Sequence, residues 1–251
     1  MHPLFESTVA VGLVSLVSLV GIATLSLKEH FLKRVLFVFI SLAAGALLGD
    51  AFIHLIPEAF EEAQPLTVSL LLLGGILSFF ILEKVLHWHH SHGEEEFSPD
   101  HAQIHPMGQL VIVSDGIHNL IDGLAIGVAF MVSTEAGIAT TLAIALHEIP
   151  QEIGDFGLLI HSGLSRARAL LFNFFSSLFG FAGLALAFWF GETNENLIPL
   201  IAAFAAGNFI YIALSDIVPE LQRTKKVSRS IFQVCAIILG ICAMLFLLTL
   251  E

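Results

Sequence analysis

The sequence predicts an all-α polytopic membrane protein with eight transmembrane helices, and three observations carry that prediction. Hydrophobic residues make up 56% of the 251 positions and charged residues only 13%, where soluble domains carry about 25% charged residues. Mean hydropathy is +0.88. The apolar residues also fall in runs near the ~20 residues that a helix needs to cross a bilayer core of about 30 Å. In order, these runs are Ser7–Leu27, Val35–Pro57, Leu66–Leu86, Met107–Val132, Gly137–Ile160, Ala167–Phe190, Leu197–Pro219 and Ile231–Leu250. The first has neither a basic leader nor an A-x-A site and is expected to stay in the mature chain.

The basic residues supply the third observation. Lys28, Lys33, Arg34, Lys84, Arg166, Arg168, Arg223, Lys225, Lys226 and Arg229 all lie on one side of an eight-span arrangement. The opposite connectors (Glu58 to Gln64, Ser133 to Ala136, Gly191 to Asn196) have none. Positively charged connectors stay in the cytoplasm, so both termini are expected on the non-cytoplasmic side, with the cell membrane as the location. The spans fill residues 1–251 as one transmembrane domain embedded in lipid, and a homodimer is the assembly considered. A net charge of −12 argues against nucleic acid as a partner. Cys235 and Cys242, seven apart in one apolar run, form neither a disulfide framework nor a zinc-ribbon spacing.

One connector differs from the rest. From His87 to His105 the chain holds six histidines and four acids among Gly, Ser and Pro, which cannot build a core. A cytoplasmic loop at 87–106 is expected, with His87, His89, His90 and His92 as a metal-capturing tract, because imidazole is the commonest metal-binding side chain.

Two segments repeat. Ala43-Ala44-Gly45 leads to His54-Leu55-Ile56-Pro57-Glu58, and Ala205-Ala206-Gly207 leads at the same distance to Asp216-Ile217-Val218-Pro219-Glu220. The copies lie on spans two and seven, which run in opposite directions, so an inverted repeat of spans 1–3 and 6–8 around spans 4–5 is expected, as in secondary transporters.

Spans four and five carry polar residues that lipid would not tolerate. Asp115, His118, Asn119 and Asp122 lie on one; His147, Glu148, Gln151, Glu152 and Asp155 lie on the other. Positions i and i+4 share a helix face, so His118 and Asp122 point together, as do His147 and Gln151. A single Asp at bilayer depth costs roughly 2.5–3.5 kcal/mol on insertion scales. Such a set is tolerable only if the two helices face each other around an ion or water, and His with carboxylate is the mixed N/O donor set that zinc favours. Pro150 removes one amide donor in mid-span and frees the carbonyl of Leu146. Gly123, Gly127 and Gly154 are expected to let neighbouring helices approach closely.

The segments H-N-L-I-D-G-L-A-I-G from His118 and H-E-I-P-Q-E-I-G-D-F from His147 resemble the paired signatures of the ZIP (Zrt/Irt-like) metal transporters, most closely the LIV-1 subgroup. G-D-A-F-I-H-L-I-P-E in span two and the His-rich connector extend the resemblance to nearly the whole chain. It implies a carrier that brings divalent metal, chiefly zinc and otherwise iron, manganese or cadmium, into the cytoplasm through a two-site centre, with the metal as substrate and not as a catalytic cofactor. It gives one position to His118, Asp122, His147 and Gln151, and a second to Asn119, Asp122, Glu148 and Gln151. Gln151 stands where the subgroup has histidine. Glu152 follows the subgroup pattern as a further carboxylate or proton acceptor, and Asp50, His54 and Asp216 are expected to line the path.

The chain is thus not expected to be an enzyme. The alternative is an intramembrane zinc-dependent hydrolase, but His147-Glu148 lacks the second histidine that H-E-x-x-H requires, since Gln151 holds that place. A cation-diffusion exporter would need six spans and a cytosolic metal-binding domain.

Overall fold

The structure, a computed structural model, describes residues 3–21, 29–92, 106–223 and 226–250; at 29, 30, 32, 33, 83, 85–92, 106, 107, 110 and 216 only the backbone is described. It is all-α, with no strand among the described residues. Helix α1 (Pro3–Val17) ends in a tight 3-10 turn. Helix α2 (Glu29–Asp50) passes through a π-helical turn (Ala51–Leu55) into α3 (Ile56–Glu62). Next come α4 (Pro65–His92), α5 (Pro106–Val132) and α6 (Thr134–His161). The sixth span is α7 (Arg166–Ser177) and α8 (Phe179–Thr193), broken at Leu178. In the seventh, α9 (Ile198–Tyr211) passes through a second π-helical turn (Ile212–Ile217) into α10 (Val218–Gln222), and α11 (Val227–Leu248) completes the set.

Seven of these spans are long and apolar enough to cross a membrane by composition. The eighth expected span, α6, is 28 residues long but carries Glu135, Glu148, Glu152 and Asp155, so its own polar residues keep it below that standard. Its N-terminal end is fixed by Ser133, whose side chain accepts a hydrogen bond from Ala136 N at 3.0 Å, an N-cap. Helix α4 runs through His87, His89, His90 and His92, so the first six residues of the expected loop are helical. The rest of that segment, through His105, lies outside the described residues.

The spans form two bundles. One holds α1, α5, α6 and α7–α8; the other holds α2–α3, α4, α9–α10 and α11. They meet chiefly where α2 packs on α6 and α9 on α5. Leu66, Leu70, Leu73 and Leu77 leave an apolar stripe along the outside of α4, and Ile231, Val234, Ile238 and Leu245 do so on α11. Such continuous apolar surface suits lipid, not water. Cys235 and Cys242 share the outer surface of α11 as free thiols.

Glycines set the closest helix crossings. A Cβ on Gly123 would strike the carbonyl of Gly180, and one on Gly183 the carbonyl of Leu120, so α5 and α8 meet backbone to backbone. Gly45 meets Ile237 O of α11, and Gly207 meets Leu72 O of α4. The two repeated A-A-G frames therefore make corresponding contacts, and each is followed by a π-helical turn just before its proline. Proline lacks the amide that would bond four residues back, and the wider turn absorbs that loss. Gly154 departs from expectation: nothing lies within 4 Å of where its Cβ would be, so it faces open space instead of a packed neighbour.

Candidate metal centre

Where α5 and α6 pass each other, His118, Asp122, His147 and Glu148 bring one ligand atom each within 4.8 Å of all the others. All four are buried, with 6%, 2%, 3% and 1% of their surface exposed. His118 and Asp122 meet because they sit one turn apart on α5; His147 and Glu148 are adjacent on α6 and enter side by side from the facing helix.

The separations suit a tetrahedral metal ion. The two Nε2 atoms are 3.1 Å apart. His118 Nε2 is 3.5 Å from Asp122 Oδ2 and 3.3 Å from Glu148 Oε1. His147 Nε2 is 3.4 Å and 3.7 Å from the same two oxygens. Zinc bonds nitrogen and oxygen at about 2.0–2.2 Å, which places tetrahedral donors about 3.3–3.6 Å apart. The observed distances bracket that edge length. His147 Nδ1 faces Ala143 O at 3.2 Å; donation there puts the ring proton on Nδ1 and turns the Nε2 lone pair into the cluster, the usual arrangement for a metal-bound imidazole. Neither oxygen of Asp122 or of Glu148 has a hydrogen-bond partner. Buried carboxylates whose nearest polar neighbours are imidazoles at 3.3–3.7 Å are costly unless a metal cation or an imidazolium balances them.

The remaining expected residues fall elsewhere. Asn119 is buried beside the cluster, but its Nδ2 donates to the carbonyl of Asp115 at 3.0 Å and to Asp115 Oδ1 at 2.8 Å. Gln151 is partly exposed, and Glu148 takes the fourth place next to the two histidines. Glu152 is fully buried, and its Oε2 accepts from Asn173 Nδ2 at 2.6 Å. Asp50 and His54 pair on α2 and its π turn, Nδ1 to Oδ1 at 3.3 Å. Thr140 of α6 donates to Asp50 Oδ2 at 2.8 Å, a bond that links the two bundles. Thr140 precedes His147 by seven residues, about 10 Å along the helix, so this pair is nearer the end without basic residues. Asp216 lies on the matching π turn of the seventh span. Phe79 of α4 covers the centre with its ring edge-on to His118, centroids 5.5 Å apart.

Three polar partners went unrecognised in the sequence, besides Phe79: Thr140, Asn173 and Ser176 each bond an acid of another helix, and Asp115 is the acid that Ser176 meets. The spacing of Asn173 and Ser176, three apart in an apolar span, was the available signal for one shared polar face.

A buried imidazole–carboxylate cluster between two helices of a polytopic bundle fits an intramembrane metal-binding protein. Comparison with known proteins agrees. A family model described as "ZIP Zinc transporter" matches residues 4–103 and 87–248, and the chain belongs to that family. It is 33% identical to the rat protein "Zinc transporter ZIP4" over 81% of this chain and 40% of that protein. It is 31% identical to the Xenopus tropicalis protein "Metal cation symporter ZIP14" over 96% of this chain and 68% of that protein. Human "Zinc transporter ZIP4" is 32% identical over 76% of this chain and 39% of that protein. The chain thus spans about two fifths of the length of the ZIP4 relatives and about two thirds of the frog ZIP14.

Proposed function

We propose that the protein carries divalent metal ions, zinc foremost, through the membrane into the cytoplasm, with Asp122 as the carboxylate common to its binding positions. The observation that carries this reading is the set of four buried donor atoms at tetrahedral separations, and the printed names of its relatives, a zinc transporter and a metal cation symporter, support it. Asp50, His54 and Asp216 line the approach from the end without basic residues, Asn119 and Gln151 complete a second position, and His87, His89, His90 and His92 collect metal at the other end. The corresponding contacts of Gly45 and Gly207 support an inverted repeat of spans 1–3 and 6–8. Purified protein in liposomes that enclose a metal-sensitive dye should pass zinc. Turnover of peptide or lipid with no metal flux would instead make it a hydrolase.

Orientation has its own test. Cysteines placed at Gln64 and Asn194 should be labelled by an impermeant reagent from outside intact cells, and one at Ser228 should not. The reverse pattern would put the termini in the cytoplasm.

Gln151 gives a third expected result. An amide oxygen is a weaker, uncharged ligand than imidazole, so Gln151→His should tighten zinc binding and slow its release. Protons compete with metal for imidazole, so the variant should also lose affinity more steeply than the wild type as pH falls from about 7 to about 5. Equilibrium binding across that range checks it. An unchanged pH slope would remove Gln151 from the centre.

A further inference from the structure

Toward the basic end of α6, where α7 packs on it, two buried polar atoms have no hydrogen bond: Glu152 Oε1 on α6 and Asn173 Oδ1 on α7. Their residues are 0% and 1% exposed. They are neighbours, because Asn173 Nδ2 donates to Glu152 Oε2 at 2.6 Å and to the carbonyl of Glu152 at 3.1 Å. Three residues along α7, Ser176 donates to Asp115 Oδ2 of α5. One polar face of α7 therefore holds an acid from each ligand-bearing helix. Asp115, Glu152 and Asp155 lie close enough to feel one another's charge, and each also feels that of Glu148 in the centre one turn away. Asp155 is partly exposed, and Gly154 and Gly157 beside it face open space.

A purely structural hydrogen-bond network should satisfy its buried members. This one leaves an oxygen of a carboxylate and an oxygen of an amide bare, side by side, with acids clustered around them. Both are acceptors, and what they lack is positive charge. We propose that Glu152, Asn173 and Asp155 form a separate, oxygen-only station for a divalent cation, with Asp115 and Ser176 tying the third helix to it. It lies four residues beyond Glu148, about 6 Å along α6. Carboxylate, carbonyl and water suit hard cations such as Mn²⁺, whereas the imidazole-bearing centre suits zinc. The station therefore holds zinc more weakly than the centre does, and it receives a cation on its way to the basic end. That role rests on the transport reading; the binding itself does not.

The test uses Mn²⁺ alone on the purified full-length chain, with free Mn²⁺ followed by its paramagnetic resonance signal. A His118→Ala/His147→Ala variant removes the nitrogen donors of the centre, and a single Mn²⁺ per chain should still bind. Adding Asn173→Leu to that background should weaken the residual binding by about tenfold or more, and adding Asn173→Asp should tighten it about tenfold, as added ligand charge does in oxygen sites. The Asp variant keeps the test decisive if the Leu variant fails to fold, because misfolding does not create affinity. A folded double variant with no residual Mn²⁺ would overturn the station, as would residual binding indifferent to Asn173→Asp. A protonated Glu152 that merely donates to Asn173 Oδ1 predicts the first of these. Wild-type protein that binds no zinc would instead count against the transport reading and leave the station standing or falling on its own data.

Discussion

Asp122→Asn should abolish metal uptake while the protein remains folded and inserted. The substitution keeps the shape of the side chain, so packing at a residue only 2% exposed is preserved. What changes is charge. Asp122 Oδ2 lies 3.5 Å from His118 Nε2 and 3.4 Å from His147 Nε2, so it reaches both nitrogen donors at once. A divalent cation drawn from water into this interior loses its hydration, and two carboxylates balance that loss. With one carboxylate gone, a single net positive charge stays buried. Outer-shell partners alone are worth 10–100-fold in metal affinity, so losing this first-contact oxygen should weaken binding by more than about a hundredfold. His118→Ala should come close, since it deletes a nitrogen donor from the same face. Zinc uptake by proteoliposomes and equilibrium binding measure both effects. Uptake by Asp122→Asn at the wild-type rate would take the centre out of the transport path.

Much of this arrangement was legible because helical periodicity is local. His118 with Asp122, and His147 beside Glu148, follow from spacing alone once lipid is the solvent. The partners across helices were not legible. Even within α5, Asn119 could turn toward the centre or back one turn to Asp115; it donates to Asp115, a choice that spacing leaves open. Thr140 reads as an ordinary helix residue until α2 brings Asp50 against it. Gln151 shares a helical face with His147, yet it ends partly exposed, because that face of α6 opens toward Gly154 and Asp155. The identity of the fourth close donor, Glu148, is likewise a matter of how the helices are rotated about their axes, which spacing constrains only to within one neighbour.

Gly183→Val should cost the protein its fold, and the reason is again a crossing of helices. A Cβ on Gly183 of α8 would run into Leu120 O and stand 2.7 Å from Leu124 N and 2.9 Å from Leu120 C. These are backbone atoms of α5, and a helix backbone cannot swing aside as a flexible side chain can. The two helices must separate, and in a close-packed interior that separation removes contacts along the whole crossing. Overpacking a core costs about 1–3 kcal/mol where side chains can adjust, so this substitution should sit at or above the top of that range. Leu120 and Leu124 also bracket Asp122, so any protein that does fold should hold its carboxylate out of register and bind zinc poorly. Gly154→Ala is the matched control: its Cβ meets nothing within 4 Å, and alanine is the better helix former by about 0.8–1.0 kcal/mol, so its stability should equal or exceed that of the wild type. Thermal unfolding in detergent, followed by the fraction eluting as a single species, separates the two variants. A Gly183→Val protein that melts with the wild type would show that α5 and α8 are not in backbone contact.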